Sequence, residues 1–148
     1  MNNPTRKMGL ASDHAGYEMK AYVKQLLTAR GYEVVDFGTH SQESCDYPDF
    51  AHQLATAIES GVVSRGVALC GSGEGMAMTL NKHKAVRAAL VWEPEIARMT
   101  RLHNDANVLV LPARFIDNIT AEACLNQFLA TDFEGGRHIR RLEKMVMF

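Results

Sequence analysis

The 148-residue chain has no excess of charge of either sign and no long uncharged apolar segment. Its 16 Lys and Arg residues are balanced by 17 Asp and Glu residues, so the formal net charge is −1. This balance gives no general reason to expect a nucleic acid or an anionic membrane as partner. No uncharged apolar run approaches the roughly 18 residues of a spanning helix, and residues 1–8 lack the apolar segment of a secretory signal. Any anionic ligand must therefore meet a local cluster of positive charge.

Cysteine is scarce, and its spacing excludes two common roles. Cys45, Cys70 and Cys124 are odd in number, far apart and outside any CxxC pair, so they fit neither a disulfide framework nor a zinc-ligand pattern. The 6 histidines show no His-x3-His or similar spacing, and we predict no metal site. A reducing cytoplasm is the expected location, with at least one thiol free for chemistry.

Short apolar runs alternate with segments of helical period along the whole chain. Strands are predicted near 8–11, 33–37, 67–70, 88–91 and 107–111. Helices are predicted near 17–29, 48–60, from the glycine-rich loop to about 82, and near 93–102, 120–130 and 137–147. Parallel strands need crossover connections, and helices supply them. We therefore predict one domain over residues 1–148, with a single-domain Rossmann-like three-layer α/β fold around a five-stranded parallel sheet.

Polar residues cluster at the ends of three predicted strands. Right-handed crossovers bring the carboxyl ends of parallel strands to one edge, where open α/β sheets bind ligands. We expect segments 12–14, 70–75 and 103–105 at that edge. Asp13 and His14 are interpreted in two ways, as an acid that orients a histidine or as a helix-capping acid beside a solvated histidine. The dipeptide by itself favours the second interpretation.

The segment 70–75 reads Cys-Gly-Ser-Gly-Glu-Gly, between a buried strand and a helix N-terminus. Alternating glycines let backbone N–H groups approach a ligand, and the helix end favours negative charge. A thiol there should be stabilised as its thiolate, which makes Cys70 a candidate base or nucleophile, although a structural thiol at a tight turn is the alternative. Met76 excludes a GxGxxG fingerprint and a Cys-x5-Arg phosphatase signature, and the loop is not a P-loop.

Arg137 and Arg141 lie four residues apart, on one face of the last predicted helix. Arginine forks suit a phosphate, and this pair supplies the local positive charge that the balanced total requires. A solvated basic helix paired with Glu134 or Glu143 agrees equally well with the spacing.

Five motifs, taken together and in order, resemble ribose-5-phosphate isomerase type B. They are Ser12-Asp13-His14-Ala15-Gly16, Asp46-Tyr47-Pro48, the 70–75 loop with Asn81-Lys82, the segment 103–108, and Glu134-Gly135-Gly136-Arg137-His138. The resemblance covers nearly the whole chain, and the ordered combination is specific. The wider family includes subunits of galactose-6-phosphate isomerase and enzymes acting on allose 6-phosphate.

The resemblance implies an aldose–ketose isomerase of the pentose phosphate pathway that interconverts ribose 5-phosphate and ribulose 5-phosphate without metal or cofactor. It implies a homodimer whose active sites use both subunits, with a tetramer also possible. One branch of the family has a glutamate at the position of Met76, and Cys70 places this chain in the cysteine branch.

The resemblance also implies roles at matching positions. Cys70 is the base that moves a proton between C2 and C1 through an enediolate. The developing oxyanion is held by Ser72 with the backbone of Gly71, Gly73 and Gly75. His103 and Asp13 assist ring opening, and Asn104 and Tyr47 contact sugar hydroxyls. The phosphate is bound by His14, Arg114, Arg137 and Arg141.

Two alternatives stay open at this point. One is an isomerase of a six-carbon sugar phosphate, since pocket depth sets that preference. The other is a non-catalytic sugar-phosphate-binding module on the same fold, because a fold does not by itself decide function.

Overall fold

A five-stranded parallel sheet lies at the centre of the computed structural model, which describes residues 6–146. Its strands are β1 (Lys7–Ser12), β2 (Glu33–Asp36), β3 (Arg65–Cys70), β4 (Ala88–Leu90) and β5 (Val108–Pro112). Their order across the sheet is β2-β1-β3-β5-β4, with every neighbouring pair parallel. The predicted five-stranded parallel sheet is confirmed.

Six helices accompany the strands in the described residues: four connect successive strands, and two follow the last strand. They are α1 (Tyr17–Ala29), α2 (Tyr47–Glu59), α3 (Glu74–Leu80), α4 (Pro94–Asn104), α5 (Asn118–Ala130) and α6 (Arg137–Met145), and a short 3₁₀ turn over His14–Gly16 precedes α1. All the predicted elements are present: α1 has the predicted ends, and the others are shifted at one or both ends. The helix predicted over 93–102 extends to Asn104, and position 147 of the last predicted helix lies outside the described residues. In the described range no helix is long and apolar enough to cross a membrane.

The strands alternate their side chains between two apolar layers, as a sheet covered on both faces requires. Leu10 and Leu109 point to the layer that contains Phe128 of α5. Ala11 and Val110 point to the opposite layer with Leu54 of α2. The predicted three-layer arrangement is therefore confirmed, with both faces of the sheet buried.

The last helix, α6, is attached to the rest of the molecule mainly through α4. His138 is its buried residue, whereas Ile139 of α6 and Val146 directly after it, which we call the apolar stripe of α6, are 48% and 44% exposed. Within residues 6–146 this stripe is left largely uncovered by its own chain.

Candidate active site

Cys70 ends β3 at the carboxyl edge of the sheet, with 4% of its surface exposed. The chain then turns through Gly73, whose φ of 79° is a left-handed conformation that glycine adopts without strain. This turn aims the backbone N–H groups of Met76, Gly73 and Gly75 at the Cys70 thiol as hydrogen-bond donors. The glycine-rich segment therefore surrounds the sulfur with backbone donors.

Burial is the largest influence on the Cys70 thiol and raises its pKa. The three N–H groups act in the opposite direction, and the charge of Asp13 adds to the increase. The pKa is raised overall, so the expectation of a stabilised thiolate is wrong for the protomer by itself. The donors act as predicted, but loss of hydration at the strand end outweighs them.

Asp13 and His14 follow β1 at the same edge. The Asp13 carboxylate accepts a hydrogen bond from the Gly16 N–H at 3.1 Å, which confirms its capping role, and the side chain is buried beside Cys70. His14 is not simply a solvated loop residue, because its Nδ1 accepts a hydrogen bond from the Cys45 N–H at 3.3 Å. A neutral His14 ring then carries its proton on Nε2.

Tyr47 and Arg114 flank the glycine-rich loop. A Cβ built at Gly75 would lie 2.5 Å from Cζ of Tyr47, so the ring packs directly on the glycine backbone. The Arg114 N–H donates to the Gly71 carbonyl at 3.0 Å, and its side chain lies against that glycine. Ser72 is exposed, and its Oγ accepts a hydrogen bond from the Glu74 N–H at 3.3 Å. We call this group the thiol edge: Asp13, His14, Tyr47, Cys70, the loop 71–75 and Arg114.

His103 and Asn104 do not lie at the thiol edge. They form the last turn of α4, which carries the chain back across the sheet to the start of β5. Cys70 pairs with Pro112 at the end of β5, whereas Val108 at its start pairs with Gly66. The four residue steps from Val108 to Pro112 separate these levels by about 13 Å. The expectation of one edge for all three polar segments is therefore wrong, because a residue that precedes a parallel strand lies at its amino end.

Arg137 and Arg141 of α6 lie on the side of His103. His138 of α6 stacks on His103 with ring centroids 4.5 Å apart, and the Glu134 N–H donates to the Leu102 carbonyl at 3.0 Å. We call His103, Asn104, Glu134 and the α6 residues Arg137, His138 and Arg141 the histidine edge. Both arginines are exposed, and no acidic side chain among residues 6–146 pairs with either one. The alternative pairing with Glu134 or Glu143 is therefore not found.

Glu134 and His138 are site residues to which the sequence reasoning assigned no role. Oε2 of Glu134 lies 3.8 Å from Nε2 of His138 and 3.9 Å from Nε2 of His103. Burial and then the charge of Arg137 lower the pKa of His138. The motif around Arg137 contained both residues, but only the folded chain shows that they meet His103.

Arg101 stabilises the histidine edge through hydrogen bonds from its buried side chain. Its guanidinium donates to Asp105 Oδ1 at 2.8 Å, to the Ala106 carbonyl at 2.7 Å and to the Thr131 carbonyl at 3.1 Å. Asp105 has the left-handed φ of 45° that ends α4. The buried arginine thus joins the end of α4 to the segment that leads to α6. No sequence motif indicated this role.

Comparisons with known proteins agree with this geometry. The family model described as Ribose/Galactose Isomerase matches residues 8–145. Ribose-5-phosphate isomerase B of Escherichia coli is 38% identical over 141 residues, which cover 95% of each chain.

Solved structures extend the similarity to three dimensions. A ribose 5-phosphate isomerase of Thermotoga maritima is 46% identical, with a TM-score of 0.94 over 96% of this chain and 98% of that one. Ribose-5-phosphate isomerase B of Mycoplasma genitalium, solved with bound ribulose-5-phosphate, is 38% identical, with a TM-score of 0.90 over 95% of this chain and 93% of that one. Sequence, fold and the order of the motifs lead to one conclusion: the chain belongs to the ribose/galactose isomerase family.

Proposed function

We propose that this chain, an aldose–ketose isomerase, interconverts ribose 5-phosphate and ribulose 5-phosphate with Cys70 as the base. The observation that carries the proposal is the Cys70 thiol beneath the N–H groups of Gly73, Gly75 and Met76, at the ligand-binding edge of the sheet. The similarity to enzymes named ribose-5-phosphate isomerase B supports the substrate.

The reaction moves one proton between carbons and one between oxygens, and it needs no external oxidant or reductant. The Cys70 thiolate removes the proton from C2, the C–H electron pair forms the C1–C2 double bond, and the C1 carbonyl oxygen becomes an oxyanion. Return of this proton to C1, with loss of the O2 proton and protonation of the O1 oxyanion, gives the ketose. Ser72, exposed at the loop, and the backbone of Gly71, Gly73 and Gly75 are placed to donate to the developing charge.

The remaining roles fall on two edges. Asp13, Tyr47, His14 and Arg114 lie with Cys70 at the thiol edge, and His103, Asn104, Arg137 and Arg141 lie at the histidine edge. In one protomer, a sugar phosphate at Cys70 is therefore out of reach of some of the ring-opening and phosphate-binding groups, because β5 separates the two levels by about 13 Å.

A homodimer removes this shortage. In a two-fold dimer the same contact occurs twice, so the histidine edge of each copy can complete the thiol edge of the other. The uncovered stripe of α6, with Ile139 and Val146 about half exposed, supports such a contact, and so do the unpaired Arg137 and Arg141. We infer shared active sites in a dimer, which a tetramer would also contain. The three free thiols support the expected cytoplasmic location.

The test is isomerisation in deuterated water with EDTA present. We expect ribulose 5-phosphate from ribose 5-phosphate, with solvent deuterium incorporated at the exchanging carbon. Allose 6-phosphate and galactose 6-phosphate serve as matched substrates, and turnover of only these would move the assignment to the six-carbon alternative. No ketose and no deuterium exchange with any of them, even at high enzyme concentration, would contradict catalysis by this site.

A further inference from the structure

The histidine edge contains three metal-ligating side chains that meet. Ligand atoms of His103, Glu134 and His138 all lie within 4.8 Å of one another. Glu134 is anchored there by its own N–H, which donates to the Leu102 carbonyl at 3.0 Å. His103 lies at the end of α4, Glu134 lies in the segment before α6, and His138 lies in α6. The fold therefore brings these three side chains together.

A second observation concerns His138 alone. This residue is 4% exposed, and its Nε2 is buried without a hydrogen-bond partner in the described structure. A buried polar atom without a partner is unusual because it has lost its water and gained nothing in return. The carboxylate nearest to this nitrogen, Glu134, is 3.8 Å away, too far for a hydrogen bond. The nitrogen therefore has an unused bonding position.

The donor set indicates which ligand fits. Two imidazoles and one carboxylate are the ligands of catalytic-type zinc sites, which keep a fourth position for water. Tetrahedral Zn²⁺ places its ligand atoms about 3.3 Å apart, so the separations of 3.8 and 3.9 Å to Glu134 must shorten by a few tenths of an ångström. His103 now stacks on His138 and must turn its ring, which its half-exposed position at the end of α4 allows.

The surrounding charges further limit which metal ion can bind. Arg137 and Arg141 lie on the same helix as His138 and oppose any cation by repulsion. A hard ion such as Mg²⁺, which prefers oxygen ligands, gains too little from one carboxylate. An ion with high affinity for imidazole nitrogen gains from both histidines.

We propose that His103, Glu134 and His138 bind one Zn²⁺ ion, or an ion of the same class, in each protomer. The ion has a regulatory consequence that rests on the proposed function. A bound ion occupies the His103 nitrogen, removes this residue from ring opening and inhibits the isomerase reversibly.

The experiment measures Zn²⁺ binding to the full-length protein directly, by competition with a chromophoric chelator. We expect one ion per protomer, and Glu134→Gln and His138→Asn should each weaken binding by more than about tenfold. Co²⁺ in place of Zn²⁺ should give the visible absorption of a four-coordinate site. Glu134 is half exposed, so its variant tests the proposal even if the buried His138 substitution prevents folding.

The matched control is the other histidine pair of the molecule. His52 and His83 share a hydrogen bond of 2.7 Å, and His83 also bonds Glu59. His83→Asn should leave the Zn²⁺ affinity unchanged. Binding lost in His83→Asn but kept in Glu134→Gln, or no saturable binding at all, would overturn the proposal.

The activity readout separates this proposal from the isomerase assignment. Added Zn²⁺ should lower ribose 5-phosphate turnover, and EDTA should restore it. A metal-free protein that is inactive would contradict the proposed function and leave the binding result standing. An active protein whose turnover is indifferent to bound Zn²⁺ would contradict the regulatory consequence.

Discussion

The thiol edge and the histidine edge present different kinds of chemical group to a ligand. At the thiol edge a buried strand end and a glycine loop present backbone N–H groups to Cys70. At the histidine edge two helix ends present long or ring side chains, and Arg137 and Arg141 are exposed. Backbone donors on a rigid sheet suit the step that needs fixed geometry. Exposed side chains on helices suit groups that must reach a ligand bound elsewhere, which in the proposed dimer is the site of the second copy.

The largest expected effect follows from removing the base. Cys70→Ala should lower kcat by about 100- to 10,000-fold, the usual contribution of a positioned base, while binding of the sugar phosphate persists. Steady-state kinetics and calorimetric titration with ribose 5-phosphate measure the two quantities. Cys124→Ala is the matched control, because that thiol is buried away from both edges. Near-normal turnover in Cys70→Ala would remove the thiol edge from the chemistry.

The next largest effect is a loss of stability in the structure that supports the thiol edge. Lys20 is 2% exposed, and its ammonium donates to Asp36 at 2.5 Å and to the Thr39 carbonyl at 2.8 Å, at the start of the loop that leads to Tyr47. Lys20→Met should cost about 3–5 kcal/mol of unfolding free energy, because the largely buried Asp36 carboxylate loses its buried cation and keeps only the Gly38 N–H and the more distant Lys24.

Chemical denaturation measures this cost, and Lys24→Met is its control. Lys24 is half exposed at 3.7 Å from the same carboxylate, so its loss should cost at most about 1 kcal/mol. Burial opposes ionisation of Asp36, but hydrogen bonds from Lys20 and the Gly38 N–H and the lysine charges lower its pKa overall. The stabilisation is therefore present at neutral pH and is lost as pH falls through this lowered pKa. Equal costs for the two lysine variants would contradict the account.

A smaller effect tests the histidine edge. Arg141→Ala should lower kcat/KM by about 10- to 100-fold, the range of a charged hydrogen bond to phosphate. Arg140→Ala removes the same charge from the same helix and serves as the control, with less than about a threefold change expected. Equal losses in the two variants would indicate a general charge effect instead of a phosphate contact.

The smallest effect is a shift along the pH axis. Since burial and Asp13 raise the Cys70 pKa, alkylation of Cys70 should reach half its maximal rate above the pH of an ordinary thiol. Asp13→Asn should move this midpoint to lower pH. Mass spectrometry in a Cys45→Ser background follows the reaction, with Cys124 as internal control because burial raises its pKa to about 11. A midpoint at or below that of a free thiol would contradict the pKa direction.

The fold and the thiol edge were largely predictable from the chain. Alternating apolar runs such as 67–70 and their helical connections indicate a parallel sheet, and the 70–75 loop is contiguous, so its residues meet wherever the strand ends. The direction of the Cys70 pKa was not predictable, because it depends on how much water the fold removes.

The position and contacts of the histidine edge could not be predicted from the sequence pattern. His103 precedes β5, and the same crossover rule that predicts a parallel sheet places such a residue at the amino ends of the strands. Its contacts with Glu134 and His138 join parts of the chain that are far apart in sequence. The spacing of these residues along the sequence does not indicate such contacts. The apolar stripe of α6 is likewise a finding of the structure, in which residues 6–146 leave it largely uncovered.

The shared active site is tested most directly by a mixed dimer of two inactive variants. Cys70→Ala and His103→Asn subunits, carrying different tags, are produced together and the heterodimer is purified. We predict about half of the wild-type activity, since one of the two sites then carries neither substitution. A heterodimer of Cys70→Ala with Asp13→Asn serves as the control, and it should stay inactive because both residues belong to the thiol edge. A Cys70→Ala and His103→Asn heterodimer as inactive as its parents would contradict a site completed by a second copy.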